Sequence, residues 1–150
     1  MTSKRKKIQK VLELREDALS KRAVALADSR VKLKHAMDEA ARESERLQIA
    51  AQQREELTGS VFDVGSWLEA EQWLAHRKRV FGAASGQVVS AEAVVKDDFG
   101  RVIAARIDKK RIELLNGRLA DEQVRRELRV EQKLSDEFGQ RRRDADRDDE

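Results

Sequence analysis

Apart from the charged residues spread along the whole chain, few residues stand out as able to do chemistry: two histidines, two tryptophans and a basic run near the amino terminus. His35 and His76 could ligate a metal or move a proton, but neither has a second ligand-type residue at metal-site spacing beyond the carboxylates found throughout the chain. Both read as exposed helix residues. There is no cysteine for thiolate ligation or disulfides. Neither a glycine-rich phosphate loop nor a Ser, His, Asp constellation can be found. The side chains therefore predict no catalytic, cofactor-binding or metal-binding site, and no enzyme.

Lys4, Arg5, Lys6, Lys7 and Lys10 could hold phosphates through counterion release. Glu13, Glu16 and Asp17 follow at once, and no aromatic residue interleaves the run to stack on bases. A solvated helix start, or a face for an acidic protein surface, is the simpler reading. With 32 Lys and Arg against 29 Asp and Glu, the net charge of +3 makes no strong demand for nucleic acid either. Trp67 and Trp73 stand six residues apart, near opposite sides of a helix, so one narrow seam cannot bury both. Trp67 can pack beside a turn on Val61, Phe62 or Val64. Trp73, with Leu74 and Val80, is either core or an interface anchor.

The elements that must position these residues are helices. Charged residues make up 41% of the chain and aromatics 4%, too polar a mixture for a compact globular core. Proline is absent, and Ala, Leu, Glu, Lys, Arg and Gln fill long tracts, which favours long helices over disorder. Leu12, Leu19, Leu26, Leu33, Ala40 and Leu47 recur at sevens, with Ile8, Ala36, Ala50 and Leu57 at companion positions. Arg15, Arg22, Ser29 and Glu43 interrupt this seam, so the helix needs a partner. A second series runs Phe81, Val88, Val95 and Val102, with Ala84, Ala91, Ala105, Ile112 and Leu119 alongside and Phe99, Ile103, Ile107 and Leu114 widening the stripe.

The pattern stops at Thr58-Gly59-Ser60 and resumes at Ser66, where Glu69 would complete a capping box. The reading is all-α: one antiparallel coiled-coil domain over residues 1–140, with helix one near 5–58, a turn at 59–65 and helix two near 66–140. Gly82 to Gly86 is where helix two would kink or break. Residues 141–150 read as a charged, flexible tail. Acid-to-base pairs four apart, among them Asp38 with Arg42, Asp97 with Arg101 and Glu122 with Arg126, mark solvated faces. At about 1.5 Å per residue, helix two outruns helix one by roughly 30 Å. An unpaired helix of that length asks for another protein. No apolar run is long enough for a signal peptide or a membrane span, which predicts a cytoplasmic protein.

Three stretches resemble one known family. Ile8 to Glu16 (IQKVLELRE) is similar to the opening of FliJ, the small coiled-coil component of the flagellar type III export apparatus. Trp67 to Leu74 (WLEAEQWL) resembles that family's segment after the turn, and Glu131 to Arg141 (EQKLSDEFGQR) its carboxy-terminal signature. The resemblance implies an antiparallel hairpin similar to the central stalk of rotary ATPases, without chemistry or cofactor of its own. It implies a monomer when free that binds the hexameric export ATPase, promotes assembly of its ring, contacts the cytoplasmic domain of the export gate protein FlhA and escorts export chaperones. Such a protein would be cytoplasmic, at the inner-membrane export apparatus, and peripheral to the membrane only through its partners.

Carried over by residue, the gate and chaperone face corresponds to Trp67, Trp73, Arg77 and Val80, with Arg77 departing from the family's small or apolar residue. The ring-binding ends correspond to Lys6, Lys7, Lys10, Arg15, Arg125, Arg129, Phe138 and Arg141. The alternatives are the stalk protein of a virulence type III system, a longer rotary-ATPase stalk, a homodimeric coiled-coil scaffold sharing the Leu12 to Leu47 seam between chains, and a basic nucleic-acid binder.

Overall fold

A computed structural model describes residues 2–59 and 63–148. It consists of two helices, α1 (Ser3–Thr58) and α2 (Val64–Asp148), which pack together, and the described residues include no strand. Thr2 caps α1, its hydroxyl accepting the Arg5 N–H at 3.4 Å and its carbonyl the Lys6 N–H at 3.1 Å. The start of α2 differs from the sequence reading. Asp63, not Ser66, is the cap: its carboxylate accepts the Gly65 N–H at 3.3 Å and its carbonyl the Trp67 N–H at 3.0 Å. A carboxylate at the positive helix end outcompetes the hydroxyl three residues on, so α2 gains its first residues. Val61 and Phe62, suggested neighbours of Trp67, lie outside the described residues, and Val64 is exposed.

Helix α2 is a single element through Gly82 to Gly86, and it carries helical backbone through residues 141–148, the segment read as a flexible tail. No proline interrupts it, and arginine is a good helix former. The surface pairs also differ in detail. Glu122 and Arg126 meet at 3.9 Å, but Arg42 turns to Glu39 at 3.1 Å and Arg101 to Asp98 at 3.6 Å. For Arg42 the neighbouring acids are both exposed and compete on nearly equal terms, whereas Arg101 reaches the half-buried carboxylate of Asp98.

The chain forms two compact units. One comprises Leu19–Ala105, the other Met1–Ala18 with Arg106–Glu150. In the Leu19–Ala105 unit the helices run antiparallel, shown by Arg54 bridging to Glu71 at 2.5 Å and Glu43 to Arg77 at 3.1 Å. Burial recurs at alternating steps of three and four: Leu26, Ser29, Leu33, Ala36, Ala40, Glu43, Leu47 and Ala50 on α1 face Leu74, Arg77, Phe81, Ala84, Val88, Ala91, Val95 and Val102 on α2. The buried apolar residues Leu26, Ala50, Leu74, Ala84 and Val102 all belong to this unit. The stripe is narrower than expected: Phe99 and Ile103 are exposed here, as are Ile107 and Leu114 in the other unit. A single partner helix covers only the two seam positions of each heptad, which leaves the flanks in water.

In the second unit the pairing is again antiparallel but more polar. Arg5 donates to the Gln123 amide oxygen at 3.2 Å, Arg15 reaches Asp108 at 3.9 Å, and Lys109 reaches Glu16 at 3.6 Å. Ile8, Leu12, Ile112 and Leu119 are only half-buried. Beyond Gln123, the described side chains of α2 are exposed as far as Arg147, apart from the half-buried Gly139. About 25 residues, or roughly 37 Å, of single helix overhang the start of α1 in this unit.

Candidate functional site

The candidate surfaces fall one in each unit. Residues Trp67, Trp73, Arg77 and Val80 all lie in the Leu19–Ala105 unit. Trp73, Arg77 and Val80 follow at four and three residues, so they form one strip along α2. The strip crosses the seam at Arg77. Trp73 is 47% exposed, whereas Trp67 and Val80 are half-buried. One tryptophan at the seam and one outside it is the outcome their spacing requires.

Arg77 is held on both sides. Its guidanium Nη1 donates to Glu43 Oε2 at 3.1 Å, and its guanidinium carbon stands 4.4 Å from the centre of the Trp73 ring. Glu43 is 3% exposed, and its other oxygen takes Arg46 at 2.6 Å. A carboxylate removed from water is tolerable only when charged donors surround it, and here one arginine comes from each helix. Ser29, the other buried interruption of the seam, is satisfied locally by donating to the Leu26 carbonyl at 2.9 Å. The charge that departs from the expected small or apolar type at residue 77 is therefore the partner of the charge that interrupts the seam at residue 43. Trp73 rests on that arginine, with His76 5.7 Å from its ring.

The other group occupies the second unit. Lys6, Lys7, Lys10, Arg125, Arg129, Phe138 and Arg141 are exposed, and Arg15 is exposed beside Asp108. Lys6, Lys7, Lys10 and Arg15 lie on the opening turns of α1. Arg125 and Arg129 follow the point where Gln123 meets Arg5, and Phe138 and Arg141 lie far out on the overhang. Basic residues from both chain ends thus line this antiparallel unit, from the level of Asp108 out along the overhang, and do not meet at one point. Among the described residues, no three or more His, Asp or Glu side chains group as a metal site would require.

The flagellar FliJ protein family matches the chain over residues 4–145. The chain belongs to that family. No curated protein and no solved structure gives a match. FliJ proteins are coiled-coil components of flagellar and type III export, and the helical hairpin with its heptad seam is the form that assignment calls for. No helix among the described residues is long and apolar enough to cross a membrane.

Sequence reasoning missed the polar half of the seam on α2. Asp98 and Lys109 occupy seam positions, half-buried, and each is ion-paired, to Arg101 and to Glu16. Continuing the alternation of three and four from Leu74 through Arg77, Phe81 and onward would have found them, because the helix phase fixes the seam even where the residue is charged.

Proposed function

We propose that this FliJ-family chain is a non-catalytic stalk of the flagellar export apparatus, which binds the hexameric export ATPase through the unit containing both chain ends and the export gate through the Trp73 strip. The observation that carries the reading is the family match over nearly the whole chain, 4–145. The geometry supports it through a single helix that outruns its partner, flanked by exposed basic side chains suited to an acidic ring surface. The same reading puts the protein in the cytoplasm at the inner-membrane export machinery, where FlhA and export chaperones are within reach. A virulence-type stalk would use the same surfaces.

Stimulation of the cognate export ATPase tests the ring contact. Replacing Lys6, Lys7, Lys10, Arg125, Arg129 and Arg141 together by Gln is expected to abolish stimulation while leaving helix content by circular dichroism unchanged. These side chains are exposed, and none appears in the cross-helix contacts described above. Undiminished stimulation would refute the assignment. Trp73→Ala is expected to weaken binding to the FlhA cytoplasmic domain by about tenfold, the loss of an aromatic anchor worth on the order of 1.4 kcal/mol, and to spare ATPase stimulation. Unchanged gate affinity in that variant would remove Trp73 from the contact.

A further inference from the structure

After Gln123 the apolar residues of α2 leave the face that packs on α1. The half-buried series runs Ile112, Asn116, Leu119, Gln123, and its continuation would be Arg126, Val130, Lys133 and Glu137, of which only Val130 is apolar. The exposed Val124, Leu128, Leu134 and Phe138 instead share an arc centred roughly a third of a turn away. Lengthening α1 would not cover them. The stripe is a separate surface, not the unfinished end of the hairpin seam.

We propose that this stripe is self-complementary and that a second copy of the chain occupies it, the two overhanging helices pairing antiparallel about a two-fold axis. Val124, Leu128, Glu131, Ser135, Phe138 and Arg142 follow at alternating steps of four and three, the spacing of a new seam. Setting Leu128 of one copy in the layer of Phe138 of the other fixes the rest. Val124 then packs on the aliphatic stem of Arg142, and Leu134 meets its own symmetry mate. Flanking the seam, Glu127 comes opposite Arg141 and Arg118 opposite Asp146, and two-fold symmetry makes each contact twice.

Charge complementarity extends to the tip. Arg5 is bonded to Gln123, so Lys6 and Lys7 lie level with the stretch that the partner's Asp144 and Asp146 reach in this register. The carboxylates of one overhang therefore meet the basic end of the other copy. Glu131 against the Ser135 hydroxyl makes the central layer polar, which specifies register and lowers affinity. With a polar central layer and few apolar ones the association is weak, and it weakens further as salt screens the pairs.

Sedimentation equilibrium of the full chain, from about 5 to 500 µM at low and high salt, reads the outcome. The mass is expected to rise from the 17.2 kDa monomer towards twice that value, with less dimer at high salt. Glu127→Arg alone and Arg141→Glu alone each weaken association about tenfold, since each places like charges at two symmetric contacts. The double variant restores it. Phe138→Glu leaves a monomer of unchanged helix content. A mass constant at the monomer value would overturn the proposal and leave the stripe to a different protein. A dimer indifferent to Phe138→Glu, or a double variant no better than the singles, would overturn the pairing geometry.

Discussion

Arg77→Ala lowers the unfolding free energy by about 2–3 kcal/mol, the largest loss expected from any single polar substitution in the chain. Glu43 is 3% exposed and has two cationic partners. Of these, Arg46 has its side chain 55% in water, whereas Arg77 is only 17% exposed. Removing Arg77 strips the buried carboxylate of its cross-helix partner and Trp73 of the cation against its ring. Arg46→Ala costs less than about 1 kcal/mol, as a half-solvated pair should. Replacing Glu43 and Arg77 together by Leu is expected to be neutral or stabilising, because neither charge is then left buried alone. Urea denaturation followed by circular dichroism measures all three. Equal effects of Arg46→Ala and Arg77→Ala would contradict the burial of the pair.

Replacing Arg77 also bears on the proposed gate contact. A gate-binding defect in an Arg77 variant mixes lost packing with lost contact, since the residue braces the seam and supports Trp73 at once. Trp73→Ala, outside the seam, separates the two.

The largest gain is expected from the glycines of α2. A methyl group at Gly82, Gly86, Gly100 or Gly117 meets nothing within 4 Å, and all four positions lie inside one continuous helix. Each glycine there costs about 1 kcal/mol relative to alanine in backbone entropy. Replacing all four by Ala should stabilise the chain by about 3–4 kcal/mol and raise its melting temperature by roughly 10 °C. A calorimetric scan with no increase, or with a fall, would show that these faces are covered or that α2 bends there. Stability gained together with loss of a partner's binding would locate that partner's helix against the glycines.

Much of this was legible before any coordinates. The absence of proline, the recurrence of Leu12 to Leu47 at sevens and the break at Gly59 specify two helices and a reversal, because periodicity close to 3.5 can be satisfied only by burying one narrow stripe. The α2 start moved to Asp63 because two capping residues lay within one turn, and local pattern alone does not rank them. Phe99, Ile103, Ile107 and Leu114 widen the apolar stripe in the sequence, but hydrophobicity alone does not say how many helices cover it. One helix does, and they stay in water.

The sequence by itself determined the class of fold, the phase of both seams, the outrun of the second helix and the likeness to FliJ, all properties that repeat along a helix and so are written in residue spacing. Only the tertiary structure decided which charges belong together. Glu43 and Arg77 are 34 residues apart and become partners solely because antiparallel pairing brings them level, and there burial makes the arginine a support for Trp73. The pairing register is a sum over every cross-helix contact, and no local pattern in either helix contains it.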